Sequence, residues 1–221
     1  MNFSAGLFPD AWLWSADALA LAVLVWSLRS GPWRSLGQSG RLNLWLGMGV
    51  LLMLVWRMKA GVNPGLDLHM LGAMVATLVF GPQLAVGVLG LTLAGVTFNS
   101  GASWHSFALN WLVMAVVPVL FANTVRRVVE HVLPRHFFIF VFVIAFFGSA
   151  LTVLLQGVVA SLVLVAAGAY SFEFLAANYL PYFLLLGFAE AWMSGMAVTL
   201  MVVYRPGWVT CFDDRIYLRN K

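Results

Sequence analysis

Cysteine occurs once, at Cys211, so the chain can close no internal disulfide and assemble no thiolate cluster for zinc or iron–sulfur. Charge is scarce as well: 9% of the 221 residues are Asp, Glu, Lys or Arg, far below the share in a soluble domain. No Lys or Arg precedes Arg29, so the opening "MNFSAGLFPDAW" lacks the basic stretch of a secretory signal, and the first apolar run is expected to stay as a span. A Gly-rich phosphate loop followed by Lys is missing, which excludes an ATPase from this chain. "GASWHS" sets Ser103 two positions from His105, a spacing that does not aim one side chain at the other on a helix, and no nucleophile elbow is present. An intramembrane hydrolase stays open as an alternative reading. No Ser/Pro-rich linker or charge block divides the chain, which predicts a single polytopic domain over residues 1–221. The net charge of +4 reads as a record of topology, and nothing supports binding to nucleic acid.

What the chain does have is apolar length, with 62% hydrophobic residues. Against a bilayer core that needs about 20 helical residues, the runs predict an all-α integral membrane protein of about seven transmembrane helices. They fall near residues 11–28, 42–58, 68–80, 84–98, 106–121, 137–167 and 179–204. The third and fourth are short and are split only by Gly81-Pro82, so they form either a re-entrant pair or two tilted helices. The sixth is long enough to tilt or to break near Gly148 or Gly157.

Ten of the twelve basic residues then fall on one side: Arg29, Arg34 and Arg41; Arg126, Arg127 and Arg135; Arg205, Arg215, Arg219 and Lys221. Arg57 and Lys59 fall on the other. Positive loops stay in the cytoplasm, so the N-terminus is expected outside and residues 205–221 are expected to form a cytoplasmic tail. Small residues at Gly187, Ala191 and Gly195, and at Gly90 and Ala94, predict close helix packing.

Ionisable side chains inside spans are costly and are therefore functional candidates. Five stand out: Asp17, Asp67, His69, His105 and Glu190. The topology gathers Asp67, His69 and His105 on the outer side with Met1 and Asn2. Imidazole is a common ligand of nickel, cobalt, zinc and copper, so a cation site is one reading of that gathering. A histidine satisfied by hydrogen bonding at a helix end is the other. Asp67 reads as the cap of a helix beginning at Leu68. Asp17 reads as an internal hydrogen-bonded contact, and Glu190 as a side chain at a helix interface that holds the bundle. His131 and His136 read as a solvated face.

Four stretches together resemble a known family, the substrate-specific membrane subunits of energy-coupling-factor transporters for cobalt and nickel, the CbiM/NikM type. They are the opening "MNFSAGLFPDAW"; "LHMLGAMVATLVFGP" from Leu68 to Pro82; "FALNWLVMAVVP" from Phe107 to Pro118; and "FAEAWMSGMAV" with the later Arg205-Pro206. The resemblance implies capture of a divalent transition metal from outside, with a coupling membrane subunit and separate ATPase subunits as partners. It implies a multi-pass protein of the bacterial inner (cytoplasmic) membrane that is itself no enzyme and holds no permanent cofactor, Co2+ or Ni2+ being cargo. It also implies a metal site built from the terminal amine, a nearby backbone nitrogen, an imidazole at position 2 and a second imidazole, with residues 1–10 inserted in the site. Met1 and His69 match that pattern; Asn2 departs from it. An amide oxygen is a harder, weaker donor for these metals, so three repairs stand open: His105 supplies the missing nitrogen, a different cation is bound, or tight binding is lost. The expected site is Met1, Asn2, His69 and His105. An organic, vitamin-like substrate on the same architecture, or a sensor or scaffold working through its tail, are the rival readings.

Overall fold

The computed structural model describes residues 3–38, 40–61, 63 and 66–218. The chain enters through an extended segment and a short turn of helix, Ala5–Leu7, then forms α1 (Asp10–Ser30) and α2 (Arg41–Arg57). A two-stranded hairpin follows, β1 (Ala60–Gly61) with β2 (Asp67–Leu68), antiparallel with Ala60 opposite Leu68. Next come α3 (Ala73–Phe80), α4 (Pro82–Ser100), a long helical rod α5 (Trp104–Val132) and a second long rod α6 (Ile139–Ala166). The chain closes with α7 (Phe172–Asn178), α8 (Leu180–Tyr204) and a last turn α9 (Asp214–Tyr217).

Five of these, α1, α4, α5, α6 and α8, are long and apolar enough to cross a membrane. Their outer faces carry large bare side chains such as Leu185 and Phe188, a surface that suits hydrocarbon rather than water. α2 spans 17 residues, just under a full crossing, and α3 only eight. The expected third span is therefore half a span. Its first residues, 68–72, are extended, and the helix starts at Ala73. The expected fourth span is not short, running 19 residues. α3 is nonetheless interior, with all but one of its residues buried, and it packs on α4, α5 and α6. The break between α3 and α4 follows from chemistry: Gly81 sits at φ +79°, beyond the reach of most L-residues, and Pro82 starts the next helix.

Both long rods contain widened turns. In α5, residues Leu112–Val116 form a π-helical stretch just ahead of Pro118, which has no N–H to give to the carbonyl of Met114. In α6, the π-helical stretch Ile139–Phe147 returns to α-helix at Gly148, the first of the two glycines at which a break was expected. The small-residue stripe does bring backbones together: a Cβ on Gly187 would lie 3.6 Å from the carbonyl oxygen of Ala150.

The basic connections meet at one end of the bundle. Arg41 donates to Thr210 Oγ1 at 2.5 Å, Thr210 and Cys211 donate backbone N–H groups to the carbonyls of Val79 and Leu78, and Tyr217 donates to Glu130 Oε1 at 3.1 Å. The α1–α2 connection, the end of α5 and the C-terminal segment thus share a face, as the charge pattern requires, while Arg219 and Lys221 lie outside the described residues. Arg57, Lys59 and the hairpin sit at the opposite end, where α2 finishes.

Candidate metal-capture site

The site is built on the extended segment between β2 and α3, which carries His69. Three contacts hold that segment. Glu190, buried on α8, accepts the backbone N–H of Leu71 through Oε2 at 2.9 Å and of Gly72 through Oε1 at 2.6 Å. These groups lie at the unpaired amino end of α3, where a carboxylate is favoured by the helix dipole. Trp56, buried at the end of α2, donates from Nε1 to the Leu71 carbonyl at 3.2 Å, and its ring lies 4.8 Å from that of His69. Gly72 completes the anchoring with φ +69°, a conformation glycine adopts without penalty. The expectation that Glu190 holds the bundle together is met, and its partners are backbone groups 118 and 119 positions away.

His69 is buried at 5% exposure. Its Nδ1 lies 3.0 Å from the Met70 carbonyl oxygen, which can only accept, so in the neutral ring Nδ1 carries the proton and Nε2 keeps the lone pair. The ring forms part of the wall of a cavity of about 240 Å³, lined also by Trp56, Arg57, Lys59, Asp67 and Met114, with Asn99 and Ser100 at the end of α4. Along the extended segment Asp67 and His69 line this cavity, while Met70 and Gly72 line a smaller one of about 110 Å³ on the α2–α8 side. That alternation is the two-residue period of extended chain.

Asp67 is not a helix cap. No helix begins at Leu68; Asp67 lies in β2 and pairs with Lys59 Nζ at 2.5 Å across the hairpin. The two-residue strands carry no periodic pattern by which the sequence alone could disclose them. Asp17 is likewise not an internal contact: it is exposed on α1 and makes no hydrogen bond or ion pair among the described residues.

The N-terminal segment is tied into the same end of the bundle. Phe3, buried at 2%, donates its N–H to Asn110 Oδ1 at 2.7 Å and accepts from Asn110 Nδ2 at 3.1 Å. Asn110 is itself buried on α5, one helical turn before Met114 of the cavity wall. A single amide thereby satisfies both backbone polar groups of Phe3, as burial demands. Met1 and Asn2, the two expected terminal ligands, lie outside the described residues.

His105 is placed elsewhere. Its Nε2 lies 3.7 Å from Asp10 Oδ1 at the start of α1, its ring meets the edge of Trp14, and it is not part of the cavity wall around His69. Among the cavities lined by the described residues, none holds both imidazoles. Among the described residues no group of three or more His, Cys, Asp or Glu side chains converges on a point. Trp56, Met114, Asn99, Ser100 and Asn110 join the site from the structure alone. Asn110 stands in view within "FALNWLVMAVVP", and Arg57 and Lys59 stand in view as the two exceptions to the charge asymmetry.

No curated protein matches the chain. Solved structures share its fold, among them these two. One, described as a transition metal transporter, aligns with TM-score 0.76 at 15% identity, covering 91% of this chain and 92% of that one. The other, a truncated transition metal transporter, aligns with TM-score 0.76 at 15% identity over 92% of this chain and 99% of that one. The model of a protein family described as the cobalt uptake substrate-specific transmembrane region matches residues 2–208. A polytopic helical bundle, an imidazole held on the wall of a cavity at one end, and a match over nearly the whole length agree: the chain belongs to the CbiM family of cobalt-uptake transmembrane regions.

Proposed function

We propose that the chain is the substrate-capture membrane component of an energy-coupling-factor ABC transporter that imports a divalent transition-metal cation, cobalt or nickel. Its N-terminus faces the exterior and its tail the cytoplasm, with the basic end of the bundle inside. The metal is cargo, and ATP hydrolysis belongs to separate subunits joined through a coupling membrane subunit.

The observation that carries this reading is the setting of His69. Its ring is held by its neighbours, its Nδ1 proton is directed to the Met70 carbonyl, and it forms part of the wall of a cavity at the end where Phe3 is tied down. A carbonyl bonded to the second ring nitrogen is how proteins orient an imidazole toward a metal. In this reading Nε2 is the ligand atom from the third segment, and the amine of Met1 and the groups of Asn2 complete the set. In this reading His105, beside Asp10, stays outside the ligand set. Nickel and cobalt bind an amine and an imidazole better than harder cations such as magnesium or calcium do.

A short extension fused ahead of Met1 tests the arrangement. Uptake of labelled cobalt or nickel by cells expressing the chain with its coupling and ATPase subunits is expected to be abolished. Unchanged uptake with the extension would remove the amine from the site.

A further inference from the structure

The cavity around His69 presents a charge pattern that a bare dication does not fit. Arg57 and Lys59 both line it, and among the described residues Asp67 is the one acidic side chain in its lining. Asp67 is already paired with Lys59, at 2.5 Å. Arg57 has no acidic partner among the described residues, so the wall carries one uncompensated positive charge. Apart from His69, the other polar side chains of the described lining, Asn99 and Ser100, are neutral. These two cations are also the residues that break the charge asymmetry of the chain, standing at the end where positive residues are otherwise absent. A hydrated dication entering here meets repulsion; an anion is attracted.

Size does not decide between them. The volume of about 240 Å³ holds roughly eight waters at ~30 Å³ each, enough for a dication with its first hydration shell or with one small polydentate ligand. Charge therefore decides.

Resting on the metal-uptake reading above, we propose that the species captured is a transition metal delivered as a small anionic, carboxylate-bearing chelate. His69 takes an open coordination position of the metal, Arg57 binds the carboxylates of the chelator, and Asn99 and Ser100 hydrogen-bond its remaining oxygens. Arg suits that task because its planar guanidinium matches a carboxylate with two donors. The departure at position 2 agrees with this: a chelator that brings donors of its own can stand in for the imidazole absent there.

Calorimetry on the purified full chain in lipid nanodiscs tests the proposal, with four titrants: nickel chloride, cobalt chloride, and the one-to-one citrate complex of each metal, citrate alone serving as the control. The metal–citrate complexes are expected to bind at least tenfold more tightly than the bare ions. Arg57→Gln is expected to weaken the complex about tenfold and to strengthen the bare ion, opposite shifts set by the sign of one nearby charge. Arg57→Lys should keep most of the preference. Bare metal binding as tightly as its citrate complex, or tighter, overturns the chelate proposal and leaves metal capture standing. An Arg57→Gln variant with both affinities unchanged overturns it equally, since the guanidinium then takes no part in binding. No binding of metal in either form overturns both this proposal and the reading beneath it.

Discussion

Glu190 Oε1 lies 2.6 Å from the backbone nitrogen of Gly72, and through this bond a carboxylate on the closing helix holds the segment that carries His69. Removing it strands two buried N–H groups, each costing about 1–3 kcal/mol when unsatisfied. Glu190→Ala is expected to lower stability by about 2–4 kcal/mol, read as a fall in the thermal midpoint by tryptophan fluorescence, and to cut metal uptake. Glu190→Gln keeps one acceptor but sets an amide N–H against a backbone N–H, so it should fall between wild type and Ala. A full-strength Glu190→Ala would show that the segment is held by other contacts.

Asn110 gives the N-terminal segment its place. Asn110→Ala removes both bonds to Phe3 and leaves two buried backbone groups unpaired. Limited proteolysis is expected to cleave the first residues at least tenfold faster in this variant. Asn110→Asp keeps the acceptor for the Phe3 N–H and loses the donor to the Phe3 carbonyl, so its loss should be intermediate. Equal cleavage in wild type and Asn110→Ala would detach the segment from Asn110.

Gly72 is under two constraints that can be separated. Its φ of +69° disfavours any side chain, and a Cβ there would lie 2.5 Å from Leu52 Cδ2. Gly72→Ala should destabilise by about 1–3 kcal/mol through strain and overpacking. Adding Leu52→Ala removes the clash and not the dihedral strain, so the double variant should lose less than the sum of the two single changes. Additive losses would place the whole cost in the backbone.

The C-terminal turn makes a pH-dependent contact. Burial first, and then the Glu130 carboxylate to which its O–H is bonded, raises the Tyr217 phenol above its ordinary value near 10. A raised value in the folded state means that the unfolded chain gives up the proton first as pH climbs. The contribution to stability is therefore complete below about pH 10 and is lost as pH rises towards the folded value. Tyr217→Phe should flatten the alkaline fall of the thermal midpoint relative to wild type while leaving the acid limb unchanged. An identical alkaline slope in both proteins would exclude this phenol as its source.

Much of this architecture is legible in the residues, and the gaps have physical causes. Long apolar runs mark α1, α4, α5, α6 and α8 because a bilayer demands them, and Gly81-Pro82 marks the break because glycine takes the positive φ and proline starts the next helix. The charge asymmetry assigns the basic loops to one end, where Arg41, Thr210, Glu130 and Tyr217 meet. Residues 68–72 read as helix in sequence because an apolar stretch has no period to reveal that it is extended; its conformation is set by Glu190 and Trp56 from distant helices. Asp67 reads as a cap for the same reason, its partner Lys59 lying across a hairpin only two residues wide. His69 is legible as a candidate, whereas the separation of His105 from it depends on how α1 and α5 pack, which neither residue's neighbours in sequence disclose.

The most direct test of metal capture by His69 is uptake of labelled cobalt and nickel, supplied bare and as citrate complexes, by cells expressing the chain with the coupling and ATPase subunits proposed for it. His69→Ala is expected to reduce uptake in every form by at least tenfold, with the variant still present in the membrane at wild-type abundance. Uptake by His69→Ala equal to wild type would contradict the claim that this imidazole captures the metal.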